Sequence, residues 1–302
     1  MNKLLPALAI FLSAAIAWAG EDSLPNRISI QHENLSPEGI EYDPLNERFL
    51  LSSMSEGTVF AVADDGTITP FIEDEDLISS IGLEVDTEGG RLLVVNADIG
   101  MGEETTYGVA QLGIYDLHTG EQQHMVELGD LLPGERHFAN DVAIDADGNA
   151  YITDSLAPVI YQVTTEGDAS IFLQADALLI EGFGGNGIVY HPDGYLLVGI
   201  SGVELYKVPL DNPASWSIVE ADQTVQADGM LWHPDGYLII VNNGEVIQMA
   251  SADDWATAET IATSRNHPAT TAAFREDAVY VIYPFARDNR TYQIVRVTFR
   301  ES

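Results

Sequence analysis

Asn186-Gly187-Ile188-Val189-Tyr190-His191 is followed by Pro192-Asp193-Gly194 and the apolar run Tyr195–Ile200, and 42 residues further on the succession returns as Asp228-Gly229-Met230-Leu231-Trp232-His233, Pro234-Asp235-Gly236 and Tyr237–Val241. Each copy reads as a strand, a tight hairpin whose Asp-Gly tolerates positive φ, and a second strand. Looser copies are Glu38-Gly39-Ile40-Glu41-Tyr42-Asp43, Ile81-Gly82-Leu83-Glu84-Val85-Asp86 and Asn140-Asp141-Val142-Ala143-Ile144-Asp145, with a degenerate sixth at Thr270-Thr271-Ala272-Ala273-Phe274-Arg275. The first residues of the six lie 43, 59, 46, 42 and 42 positions apart. A repeat of this length with room for four short strands is the size of one propeller blade. The pattern therefore predicts an all-β fold, a six-bladed β-propeller.

Two details complete that expectation. The 59-residue interval holds an insertion, placed at Gly100–Tyr107 and its neighbours. The last unit has room for only three strands, Thr271–Phe274, Ala278–Tyr283 and Tyr292–Thr298, so the N-terminal stretch Arg27–His32 is expected to supply the fourth and close the ring. Only scattered segments look helical, Ser251–Ile261 among them.

Residues 1–19 read as a secretory signal peptide, with Lys3, an apolar run from Leu4 to Trp18 and Ala17-Trp18-Ala19 as a small-x-small cleavage site. That run is shorter than the roughly 20 residues a spanning helix needs, and Pro6 interrupts it. The expectation is an exported protein, periplasmic or extracellular, with one domain over residues 26–302. The chain has no cysteine, so no disulfide framework supports it. A formal charge of −36, with lysine only at Lys3 and Lys207, argues against nucleic-acid and anionic-membrane partners, whose phosphates it would repel. Such acidity fits a salty habitat or simply a soluble acidic exoprotein.

In a propeller the first strand of each blade lines the central channel, so one repeat position forms a ring around the axis. Here that ring is Glu38, Ile81, Asn140, Asn186, Asp228 and Thr270. Four members carry strong oxygen donors, two carboxylates and two amides. A hard cation takes about six to eight oxygens at about 2.3–2.6 Å, and water or substrate would complete the set. With no cysteine in the chain and no histidine at this position, a soft metal fits poorly. The expected metal ligands are Glu38, Asn140, Asn186 and Asp228.

Pro37-Glu38-Gly39, Asn140-Asp141-Val142, Asn186-Gly187-Ile188 and Asp228-Gly229-Met230 resemble the metal-site segments of the gluconolactonase/regucalcin family of calcium-dependent propellers, a similarity that runs over most of residues 30–300. The resemblance implies one Ca2+ held by Glu38, Asn186 and Asp228, with Asn140 as a further ligand or a substrate contact. It also implies hydrolysis of a lactone or related ester, with Asp228 as general base or nucleophile. His137 and Asp141, near the same rim, are candidates to shuttle a proton. Asp98, Asp154, Asn242 and Arg287, in loops after second strands, are candidates for substrate contact. Ile81 and Thr270 depart from a full ligand ring and leave the substrate open.

Other patterns fail on context. Gly182-Phe183-Gly184-Gly185-Asn186-Gly187 fits a dinucleotide fingerprint, but a strand and hairpin follow where a helix is required. Asp145-Ala146-Asp147-Gly148-Asn149 lacks the glycine that an EF-hand needs at the position of Ala150. His191 and His233 end the inner strands and belong to the opposite face. The leading reading is a metal-dependent hydrolase with a small-molecule substrate. The alternative is a non-catalytic propeller that binds a ligand or protein, and a strictosidine-synthase-like propeller fits this ring less well.

Overall fold

The Asp-Gly hairpins form: Gly148, Gly194 and Gly236 have φ of +85°, +87° and +91°, a conformation that glycine adopts without a Cβ penalty. The computed structural model describes residues 24–98, 108–180, 183–202, 204–285, 288 and 290–301. The expected signal peptide and the insertion at Gly100–Tyr107 lie outside the described residues.

The chain is all-β and antiparallel within each unit. After β1 (Arg27–Gln31) comes a first unit of β2 (Ile40–Asp43), β3 (Arg48–Leu51), β4 (Val59–Val62) and β5 (Ile68–Ile72). The second comprises β6 (Ser80–Asp86), β7 (Arg91–Ala97), β8 (Ala110–Asp116) and β9 (Gln122–Glu127). The third comprises β10 (Ala139–Ile144), β11 (Ala150–Asp154), β12 (Val159–Val163) and β13 (Ala169–Gln174). The fourth, β14 (Gly185–His191), β15 (Tyr195–Ile200), β16 (Glu204–Pro209) and β17 (Ser217–Ala221), precedes the fifth, β18 (Ala227–His233), β19 (Tyr237–Asn242), β20 (Glu245–Ala250) and β21 (Thr257–Arg265). These two join into one continuous sheet, because β17 and β21 pair in parallel at Glu220↔Thr257 and Ala221↔Ala258. The C-terminal β22 (Ala272–Arg275), β23 (Ala278–Tyr283) and β24 (Thr291–Arg296) are completed by β1, paired from Arg27↔Val295 to Gln31↔Thr291. A short β25 (Arg300–Glu301) adds to β21.

The segment Ser251–Ile261, expected to look helical, is instead a turn followed by β21. Ser251 Oγ accepts hydrogen bonds from the Asp253 and Trp255 amides, and Asp253 Oδ1 accepts one from the Thr257 amide. Such local bonds compete with a helix, and the threonines that follow favour a strand.

The innermost strands β2, β6, β10, β14, β18 and β22 adjoin in that cyclic order, with β22 beside β2. Apolar clusters among the described residues follow the same cycle. Leu50 and Ile72 of the first unit pack with Leu92 and Tyr115 of the second, and Leu93 and Leu112 with Ile152 and Tyr161 of the third. The cycle continues through the fourth and fifth units, and its last cluster sets Tyr280 and Ile294 against Phe49 and Phe60 of the first.

Glycine lets the inner strands approach. A Cβ on Gly39 would overlap the Ile81 carbonyl oxygen of the next strand, and one on Gly187 the Asp228 carbonyl oxygen. Where this motif position is not glycine, its side chain bridges instead. Ile188 N donates to Asp141 Oδ2 at 3.2 Å, and Ile40 N donates to Thr271 Oγ1 at 3.1 Å.

Candidate functional site

Three expected ligands sit on an irregularity that recurs. In β10 the register jumps from Ala139↔Asp154 to Val142↔Ile152, so Asn140 and Asp141 together face one partner residue. The same jump brackets Asn186 and Gly187 in β14, Asp228 and Gly229 in β18, and Ile81 and Gly82 in β6. A bulge of this kind locally re-aims a side chain and bends the strand. Glu38 precedes β2, and its carbonyl accepts from Thr270 Oγ1 at 2.7 Å and Thr271 Oγ1 at 3.0 Å.

Hydroxyls from neighbouring strand ends hold the two amides. Asn140 Nδ2 donates to Ser155 Oγ at 2.9 Å, and Asn186 Nδ2 donates to Ser201 Oγ and to Asp228 Oδ1, both at 3.2 Å. With its NH2 group engaged, each amide keeps Oδ1 as the atom to offer a cation. Glu38 is 9 % exposed, and its Oε2 is buried with no hydrogen-bond partner. An orphaned carboxylate oxygen is costly unless a charge or donor meets it. Burial, then the charges of Asp228 and Asp141, raises the Glu38 pKa. Burial pushes Asp228 up to about 6 despite the Asn186 hydrogen bond. Asp141 is pushed up to about 7 by burial, against the Val142 and Ile188 amides that donate to it.

Among the described residues no group of three His, Cys, Asp or Glu side chains stands in metal-holding geometry. Half of the candidate set is amide, however, and an all-oxygen set of two carboxylates and two amides suits a hard cation. The unpartnered Glu38 oxygen, close enough to Asp228 and Asp141 to feel their charge, fits the same occupant.

The expected proton shuttle and substrate contacts are placed differently. His137 is 2 % exposed; Nδ1 donates to Asp154 Oδ2 at 2.8 Å and Nε2 to the Leu132 carbonyl at 3.1 Å. The Asp154 hydrogen bond raises its pKa against the effect of burial. Asp154 is fully buried and also accepts from the Phe138, Leu156 and Ala157 amides and the Tyr161 hydroxyl. Its oxygens are thus spent inside the protein, so Asp154 is placed as a structural anchor rather than a substrate contact. Asn242 is likewise 8 % exposed, with Oδ1 accepting from Gln226 N at 2.5 Å. Both side chains grip the chain two residues before a ring position, as Asn96 Oδ1 does by accepting from Ser79 N at 3.1 Å. Asp98 is partly exposed beyond β7, and Arg287 lies outside the described residues. His191 and His233 stack on Tyr195 and Tyr237 at the far ends of β14 and β18.

Glu41 and Glu84 were missed. Both line a channel cavity of about 390 Å³ that also includes Asp141, Tyr42, Tyr190, Trp232 and Phe274. Burial, with the charges of Asp141 and Asp86, pushes Glu84 up to about 8, and burial with the Glu84 charge raises Glu41. The available signal was strand alternation, since each stands two residues after a ring-facing glycine.

Solved structures share this architecture. The major allergen Mala s 1 of Malassezia sympodialis superposes with a TM-score of 0.76 at 18% identity, covering 91% of this chain and 97% of that one. Regucalcin from Agrobacterium tumefaciens strain C58, described as a calcium-binding protein, gives 0.62 at 18% identity over 92% and 96% of the two chains. Gluconolactonase XC5397 from Xanthomonas campestris gives 0.62 at 14% identity over 89% of each. The likeness is one of fold. No family model matches the chain, and no curated protein matches its sequence.

Proposed function

We propose that residues 26–302 form one six-bladed propeller domain that holds a divalent cation, calcium in the first place, and hydrolyses a lactone or related ester. The observation that carries this reading is the set Glu38, Asn140, Asn186 and Asp228: four oxygen donors at one repeat phase, three on bulges, with Glu38 Oε2 buried and unpartnered. The fold shared with a gluconolactonase and a regucalcin supports the same direction. Export through residues 1–19 is part of the proposal and rests on the sequence.

A bound cation would polarise the substrate carbonyl and acidify a coordinated water. Asp228, which accepts a hydrogen bond from Asn186, would take the proton as general base. Asn140 and Asn186 orient oxygen donors through Ser155 and Ser201. His137 acts as a positioning residue: with Asp154 it fixes the chain that leads into Asn140.

Metal analysis of the purified protein supplied with calcium should return one ion per chain, and a panel of lactones, aryl esters and organophosphates should show chelator-sensitive turnover. Asp228→Ala should reduce turnover by about 10²–10⁴-fold. No bound metal under these conditions sinks the proposal. A second reading, a non-catalytic binding propeller, is favoured by the higher TM-score to an allergen described without an activity. One bound calcium with no turnover across the panel would select it.

A further inference from the structure

We infer that the channel beyond the Glu38 ring is a second binding site, for an organic cation: an ammonium group carried on a slim alkyl chain. The cavity of about 390 Å³ is lined from the second motif residues, Gly39, Asp141, Gly229 and Thr271, outward to the fifth, and its lining does not include Glu38, Asn140, Asn186 or Asp228. That volume lies in the range of small-ligand pockets, roughly 300–1,000 Å³. Three residues of strand rise make the lined stretch about 10 Å long, more than a lone ammonium needs and enough for an extended diamine or triamine.

The lining selects charge and shape together. Its inner part carries Asp141, Glu41 and Glu84, and no lysine, arginine or histidine lines it. Glu84 meets no hydrogen-bond donor among the described residues, and burial with the charges of Asp141 and Asp86 opposes its ionisation. A ligand cation would relieve that repulsion. The outer part is aromatic at one repeat phase: Tyr42, Tyr190, Trp232 and Phe274 occupy the fifth motif position on four of the six inner strands. Aromatic faces attract ammonium ions, by about 0.5–2 kcal/mol per contact; the Tyr42 ring already carries the Arg275 guanidinium 5.0 Å from its centroid, which leaves Tyr190, Trp232 and Phe274 for a ligand. Aliphatic side chains at the third position, Ile40, Leu83, Val142, Ile188 and Met230, also line the cavity; they suit methylene groups and offer a bare metal no ligand. Outside the mouth, Glu88 and Asp147 are exposed beside the channel, and Asp193 and Asp235 project with side chains 76% and 82% exposed. Their field draws cations toward this end.

The test is calorimetric titration of the mature, calcium-saturated protein with spermidine at low salt. One spermidine per chain is expected. Glu84→Gln should weaken it at least about tenfold and Trp232→Leu at least about fivefold, with calcium stoichiometry unchanged in both. Glu84→Gln keeps the size of the side chain and forgoes only the charge that burial opposes, so its melting temperature should be no lower than the parent's, and that measurement separates a loss of binding from a loss of fold. Absence of saturable binding, binding equal in the parent and both variants, or equal displacement by magnesium would overturn the inference. Because the two varied side chains lie outside the Glu38 set, the titration is repeated on the chelated protein, and its outcome is then distinguishable from that of the calcium and turnover measurements.

Discussion

At the scale of single residues the channel is a collection of carboxylates held against their charge. Asp228, Asp141 and Glu84 titrate near about 6, 7 and 8 in the fold, against ordinary values of 3.8, 3.8 and 4.5. Between those ordinary values and about 8 the folded chain binds more protons than the unfolded chain. Stability of the metal-free protein therefore falls as pH rises across that window and levels off above it. Melting of the chelated protein should be higher at pH 5 than at pH 8, and calcium should remove most of the difference. A melting temperature that climbs over the same interval would contradict the assignment. Glu38→Gln separates stability from binding: it should stabilise the chelated protein by on the order of 1–2 kcal/mol while weakening calcium at least about tenfold. Ser201→Ala acts one shell further out by releasing the Asn186 amide, and a loss of about 10–100-fold in calcium affinity is expected.

At the scale of strands, what makes the site is the bulge and the glycine beside it. Gly187→Ala would force a methyl group into the Asp228 carbonyl of the neighbouring strand, and chemical denaturation should show a loss of roughly 1–3 kcal/mol. Calcium affinity should fall with it, because the displaced strand carries Asp228. The repeat was legible in the sequence because apolar alternation and Asp-Gly turns are local properties of the chain. The shared repeat position of Glu38, Asn140, Asn186 and Asp228 was read from the same repeat, since shared phase becomes shared position once units repeat. The bulges were not, because a register jump depends on the partner strand and leaves no composition behind it. The burial of Asp154 and Asn242 was hidden for a related reason. An acid or amide at a strand end looks the same in sequence whether it faces a ligand or, as at Phe138 and Gln226, the backbone amide it accepts from. The turn at Ser251–Ala256 shows the same limit, since its side-chain bonds to backbone outweigh a weak helical periodicity.

At the scale of the molecule two features dominate, the charge and the pairing of β1 with β24. With 48 acidic against 12 basic side chains the folded surface repels itself, and salt shortens that repulsion to a few ångströms at about 1 M. The melting temperature should rise by several degrees between about 0.05 and 1 M sodium chloride, with or without calcium, and a flat or falling response would show that the charges are already locally compensated. The other feature is β1 lying against β24, with Ile28 and Ile30 1 % and 0 % exposed in the cluster that joins the last unit to the first. Its consequence is one of timing. The partner of Arg27–Gln31 is Thr291–Val295, far along the chain, so this strand must wait, unpaired, until that stretch has been made. Until then the seam stays open, and the cluster that sets Ile28 and Ile30 against Tyr280 and Ile294 cannot form.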